Sequence, residues 1–105
     1  MELIDISKGQ FNDMGEGEEV FIVMLTAPWC GGCKSVKPML EDYNGDSGNH
    51  LIHQYDIEQD EKELAKELGV MSLPTLLVYK NGEEVERGVA TNGVLQVLDK
   101  IKSSY

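Results

Sequence analysis

Apolar and polar positions along this chain alternate between strand-like runs and segments of helical spacing. Leu3, Ile4 and Ile6 predict a short first strand. Ser7, followed three residues later by Gln10, is a capping-box pattern opening a short helix with Phe11 and Met14 as its apolar positions. Gly15 to Glu19 reads as an acidic, glycine-containing loop. Val20-Phe21-Ile22-Val23-Met24-Leu25 is an unbroken apolar run, as expected of a central strand buried on both faces. Pro28 closes that strand. Cys33, Val36, Met39, Leu40 and Tyr43 then recur at helical spacing from Gly32 onward, with Pro38 expected to kink the helix because it lacks an amide hydrogen.

Asn44 to Asn49 is predicted to be a polar loop and Leu51 to Ile57 a third strand. Gln59 or Asp60 is placed to cap a helix carrying Leu64, Ala65 and Leu68, which Gly69 ends. Pro74 introduces a fourth strand over Thr75 to Tyr79. Asn81-Gly82 is a strong hairpin signal leading to a fifth strand near Val85 to Val89. Thr91 or Asn92 is expected to cap a last helix that turns Val94, Leu95, Val97, Leu98 and Ile101 inward. The order βαβαβαββα predicts an α/β fold, a central five-stranded mixed sheet flanked by four helices, in one domain over residues 1–105.

Composition narrows the function. Apolar residues make up 41% of the 105, enough for a core. No run of about 18 apolar residues is present, so no membrane helix is expected. The start, Met1-Glu2-Leu3-Ile4-Asp5, lacks the basic and apolar parts of a secretory signal, and the expected location is the cytoplasm. A net charge of −10 disfavours nucleic acid and anionic lipid as partners and favours a soluble monomer.

The chain has two cysteines, in Cys30-Gly31-Gly32-Cys33. A structural disulfide there would close a very small loop and stabilise little, so reactivity explains the pair better. Cys30 just ahead of a helix meets free amides and the positive end of the helix dipole, both of which favour a thiolate. Cys33, one turn on, is within reach to close a disulfide. The position outside the carboxyl end of the central strand is where open α/β sheets bind ligands. A C-x-x-C pair is also half of a zinc site, with His50 and His53 as the other ligands. The resulting C-x2-C-x16-H-x2-H has neither usual interval, and residues three apart on a strand face opposite ways, so no metal is expected.

The residues Ala27-Pro28-Trp29-Cys30-Gly31-Gly32-Cys33-Lys34, Pro38, Leu73-Pro74-Thr75 and Lys80-Asn81-Gly82 together resemble the thioredoxin family, in a small cytoplasmic form of bacterial or viral type. The resemblance covers nearly the whole chain and implies a thiol–disulfide oxidoreductase that reduces target proteins. It makes Cys30 the exposed attacking thiolate and Cys33 the buried resolving thiol. It also implies a docking surface of Trp29, Gly31, Gly32, Leu73, a cis Pro74, Gly88 and Val89. Apart from the resemblance, Lys34 is a candidate either to tune the thiolate or simply to aid solubility, and Met71, in the loop before Pro74, is a candidate for contact with a substrate. No bound cofactor is implied beyond the redox-active Cys30–Cys33 disulfide. The implied electron donor is a separate flavin- and NADPH-dependent thioredoxin reductase, and the implied targets include ribonucleotide reductase.

Three departures from the family pattern stand out. Gly31-Gly32 replaces the usual Gly-Pro, removing a φ restraint and leaving the reduction potential open. Met24 stands where the family carries a buried Asp, and Gln54 where a Lys often accompanies it. Losing both members of a buried ionic pair together avoids an unpaired charge, and Cys33 would then rely on water or another group to lose its proton. Thr26 replaces an aromatic residue. The competing readings are a glutaredoxin-like enzyme, an oxidase or isomerase, and a non-catalytic accessory subunit. The glutaredoxin-like reading expects Pro-Tyr between the cysteines and a Gly-Gly segment after the hairpin, and neither is present.

Overall fold

The apolar run beginning at Val20 becomes the middle strand of the sheet, and every residue from Val20 to Leu25 is buried. Side chains alternate along a strand. Ile22 and Met24 therefore join one apolar cluster, while Phe21, Val23 and Leu25 join the other. The computed structural model describes residues 1–46 and 49–105. Strands β1 (Ile4–Asp5), β2 (Val20–Thr26), β3 (Ile52–Asp56), β4 (Thr75–Lys80) and β5 (Glu83–Val89) lie in the order β1-β3-β2-β4-β5. The first three are parallel, and β4 and β5 continue antiparallel. Helices α1 (Lys8–Gly17) and α3 (Glu63–Glu67) supply the core of one face, and α2 (Gly31–Asp46) and α4 (Ala90–Ser104) most of the core of the other. The five-stranded mixed sheet with four helices is the architecture expected.

Local signals succeed where the chain satisfies its own backbone. Ser7 and Gln10 form both bonds of the capping box. Asn81 and Gly82 take φ of 53° and 86°, the paired left-handed geometry that suits a two-residue hairpin. Gly69, at φ 67°, ends α3 with Val70 N–H on the Ala65 carbonyl and Gly69 N–H on that of Lys66.

Elsewhere tertiary contacts move the boundaries. Helix α1 runs through Gly15 to Gly17 where a loop was expected, with Gly15 buried against the Phe21 ring. Helix α2 starts at Gly31 and runs through Pro38 to Asp46, three residues beyond the expected end. The reason is Asn44, which is buried and clamps the start of β3: its Nδ2 donates to the Ile52 carbonyl and its Oδ1 accepts the Ile52 amide at 2.8 Å. Residues 47 and 48 of the expected polar loop lie outside the described residues. Ile57–Asp60 forms a 3-10 turn, which shortens both β3 and α3. Asp60 still acts as a cap from a distance, its carboxylate accepting the Leu64 amide at 2.9 Å. Helix α4 starts at Ala90 with no side-chain cap, so neither Thr91 nor Asn92 caps it. Ala90 instead donates its amide to the Pro74 carbonyl at 2.8 Å, and this cross-chain bond sets the start.

Tyr55 is fully buried, and its hydroxyl donates to the same Asp60 carboxylate at 2.8 Å. Burial first, then the bond to Asp60, pushes its phenol well above the ordinary value of about 10. Burial also raises Tyr79, with Glu84 adding to it, and raises Tyr43. An acid whose folded pKa is raised keeps its proton where the unfolded chain has lost it. The stability it lends is therefore complete below about pH 10 and is lost as pH rises through the folded value. The urea midpoint is expected to fall steeply above about pH 10. Tyr55→Phe should flatten that fall while costing about 1–2 kcal/mol at neutral pH from the missing hydrogen bond. Urea denaturation curves of both proteins, at neutral pH and above about pH 10, check this.

Candidate active site

At the carboxyl end of β2 the chain turns through Ala27, Pro28 and Trp29, and the Cys30 amide closes the turn on the Ala27 carbonyl at 3.1 Å. Helix α2 begins at the next residue. Cys30 and Cys33 are joined in a disulfide, their α-carbons 5.3 Å apart. The Cys33 amide, one of the free amides of the first helical turn, donates to Cys30 Sγ at 3.1 Å. Once the bond is reduced, that donor and the helix dipole favour negative charge on Cys30.

Cys30 is only 5% exposed and Cys33 3%, so the expectation of an exposed Cys30 is not met in the oxidised form. The disulfide ties Cys30 to the first helical turn, where it joins the apolar cluster with Ala27 and Leu25. The two glycines differ in their surroundings. A β-carbon on Gly31 would meet nothing within 4 Å, whereas one on Gly32 would lie 3.1 Å from Pro74 Cδ and 3.3 Å from Thr91 Oγ1. Gly31 is open to a visitor, and Gly32 is backed by the Pro74 loop.

Trp29 is 61% exposed, and its indole N–H donates to the Glu58 carboxylate. Lys62 Nζ stands 5.7 Å from the centre of its ring. The Leu73–Pro74 peptide is cis. Pro74 is buried and Leu73 half-buried, and among the described residues the Leu73 amide and carbonyl have no protein partner. Val89 is exposed beside this loop, opposite Thr75 across the β4–β5 ladder. Met71 is 96% exposed. Gly88 does not belong to the surface that was expected of it. Strand alternation turns it toward α4, where it is buried against Gly93 and Val97.

On the other side of the pair, Cys33 reaches a cavity of about 200 Å³ that Met24, Gln54, Asp56, Lys34 and Lys37 also line. Met24 and Gln54 are register neighbours on β2 and β3, and Asp5 follows Gln54 on β1. Gln54 Nε2 donates to the Asp5 carboxylate at 2.7 Å. The two expected ionic positions are thus adjacent and both neutral, and the carboxylates lie further out, at Asp5 and Asp56. Lys34 is exposed at this cavity's rim and makes no ion pair among the described residues.

His50 and His53 line a different hollow, with Glu18 and Glu19, next to residues that lead into β2 and β3. His53 Nδ1 is 3.3 Å from the Ile22 carbonyl. Among the described residues no cluster of three or more His, Cys, Asp or Glu could hold a metal ion. Glu58, Lys62 and Asp56 were not legible in the sequence as parts of the site. Glu58 is 29 positions from its partner Trp29, and no spacing rule connects them.

Comparison with known proteins agrees with this geometry. The family model described as Thioredoxin matches residues 2–103. The thioredoxin of Staphylococcus epidermidis is 36% identical over 104 residues, covering 95% of this chain and 98% of its own. That of Bacillus subtilis is 45% identical over 73 residues, 69% of each chain. Among solved structures, Plasmodium falciparum thioredoxin superposes with a TM-score of 0.85 at 25% identity, covering 98% of this chain and all of its own. The reduced Schistosoma mansoni thioredoxin pre-protein gives 0.84 at 27% identity, with full coverage of both chains. With the family's fold and a redox-active cysteine pair at the end of its central strand, the chain belongs to the thioredoxin family of protein-disulfide reductases.

Proposed function

We propose that Cys30 is the attacking group and Cys33 the resolving one. The observation that carries this assignment is the Cys33 amide aimed at Cys30 Sγ. The Cys30 thiolate attacks one sulfur of a target disulfide, forming a mixed disulfide and releasing the other target sulfur as a thiolate. Cys33 then loses its proton and attacks Cys30 Sγ. The Cys30–Cys33 disulfide forms, the second target thiolate leaves, and two electrons have passed to the target.

With Met24 in place of an acid, the Cys33 proton leaves through the adjoining cavity toward the Asp5 and Asp56 carboxylates. Trp29, Gly31, Leu73, Pro74 and Val89 receive the target, the unpaired Leu73 backbone groups bonding an extended segment. Gly32 shapes this surface from behind, through its contact with Pro74. Lys34 supports the thiolate through its charge. A flavin- and NADPH-dependent reductase of the thioredoxin system restores the dithiol, as is general in the family, in a reducing cytoplasm.

The direction of electron flow is tested by equilibrating the protein with glutathione redox buffers and following the fluorescence of its single tryptophan. A reductase is expected to settle below about −230 mV. A value at or above roughly −180 mV would place the protein with isomerases and oxidants.

A further inference from the structure

The chain carries nine cations against nineteen acids, yet its cations are unevenly used. Lys8 pairs with Glu63 and Glu67, Arg87 with Glu84, and Lys100 with Glu86. Lys34, Lys37, Lys62 and Lys66 make no ion pair among the described residues, and they line the two hollows on either side of the Cys pair. In the hollow behind Cys33, Asp5 and Asp56 oppose Lys34 and Lys37, so the formal charges cancel.

The hollow beside Trp29 is different. It measures about 520 Å³, has an apolar wall of Trp29, Ile57, Val70 and Leu73, and includes Lys62 and Lys66 with, among the described residues, no acid in its lining. Of the acids nearest in sequence, Glu58 accepts the Trp29 indole N–H at the edge of the hollow, Asp60 holds Tyr55 and the Leu64 amide, Glu63 and Glu67 face Lys8 on α1, and Glu61, beside Lys62, lies outside the lining. Lys62 follows Glu61 in the left-handed region, at φ of 68° and 56°, a conformation uncommon outside glycine. That backbone holds the ammonium against the tryptophan face. Met71, almost fully exposed, supplies an adaptable apolar rim.

We infer that this hollow selects targets whose redox cysteine is flanked by an acidic segment bearing an apolar side chain. The apolar group enters the hollow and its neighbouring carboxylates meet Lys62 and Lys66. The inference rests on the reading of Trp29 and the Pro74 loop as the surface that receives a target. The net charge of −10 opposes acidic partners at long range, but at about 0.15 M salt charges beyond roughly 8 Å are screened. The two lysines then decide the local preference.

The test uses two disulfide-linked peptides of equal length, each with a leucine near the cysteine, one flanked by two glutamates and the other by two lysines. Their kcat/KM values are measured at 0.15 M salt, beside neutral bis(2-hydroxyethyl) disulfide. The acidic peptide is expected to be favoured about tenfold, and Lys62→Gln with Lys66→Gln to bring the ratio close to one. A wild-type ratio near one, a preference for the basic peptide, or a ratio that the double substitution leaves unchanged overturns the inference. Failure of the wild-type protein to reduce even bis(2-hydroxyethyl) disulfide overturns the reductase reading itself, and the inference with it.

Discussion

Cys33→Ser is expected to accumulate a covalent complex with an oxidised target, whereas Cys30→Ser is expected to form none. Both should lose turnover by at least about a thousandfold, because a two-step exchange cannot finish without either sulfur. The asymmetry follows from the first turn of α2. The Cys33 amide supports charge on Cys30 Sγ, and a serine at 33 still supplies that amide. Cys33 stands one turn further along α2 and borders the hollow of Met24 and Gln54, away from the Trp29 and Pro74 surface proposed to receive a target. Non-reducing electrophoresis after mixing with a disulfide-bonded target reads the result directly. A stable complex formed by Cys30→Ser and not by Cys33→Ser would reverse the two roles. Activity that survives loss of both cysteines would favour an accessory subunit.

Gly88→Val is expected to destabilise the fold by about 3 kcal/mol or more, for a reason unrelated to chemistry at the cysteines. A β-carbon at Gly88 would run into the Gly93 carbonyl group and lie 2.8 Å from Val97 Cγ2. Backbone cannot rotate aside as a side-chain tip can, so β5 would have to separate from α4. For a domain of this size the melting temperature should drop by at least about 12 °C. Gly93→Ala is the control. Its β-carbon would sit 3.2 Å from the Gly88 carbonyl carbon, a milder crowding that the helix preference for alanine, about 1 kcal/mol, largely offsets. A Gly88→Val protein that melts normally would show that β5 and α4 can separate slightly at little cost.

The same pair shows why a sequence reading stops where it does. Gly88 was expected at a docking surface through the family resemblance, as part of a small, apolar edge shared with Val89. Which way it faces depends on the register of β5 against β4, where Leu76 pairs with Gly88 and Thr75 with Val89. One step along the strand separates a residue packed on α4 from one exposed beside the Pro74 loop. The boundaries of α2 and α4 shifted for a related reason. The Asn44 clamp on Ile52 and the Ala90 bond to Pro74 join residues 8 and 16 positions apart, where local capping rules do not apply.

By itself the sequence determined the architecture and the reactive pair. A capping box, an Asn-Gly hairpin and a C-x-x-C at a strand-to-helix turn are short-range signals, each satisfied within a few residues of itself, and an unbroken apolar run fits only a strand covered on both faces. The tertiary structure alone decided what surrounds the pair. It set Glu58 and Lys62 on Trp29, placed neutral Met24 beside neutral Gln54, turned Gly88 inward, and left two unpaired lysines at the edge of an apolar hollow. These are contacts between separate elements, and their energies depend on distance and burial, which exist only once the chain has folded.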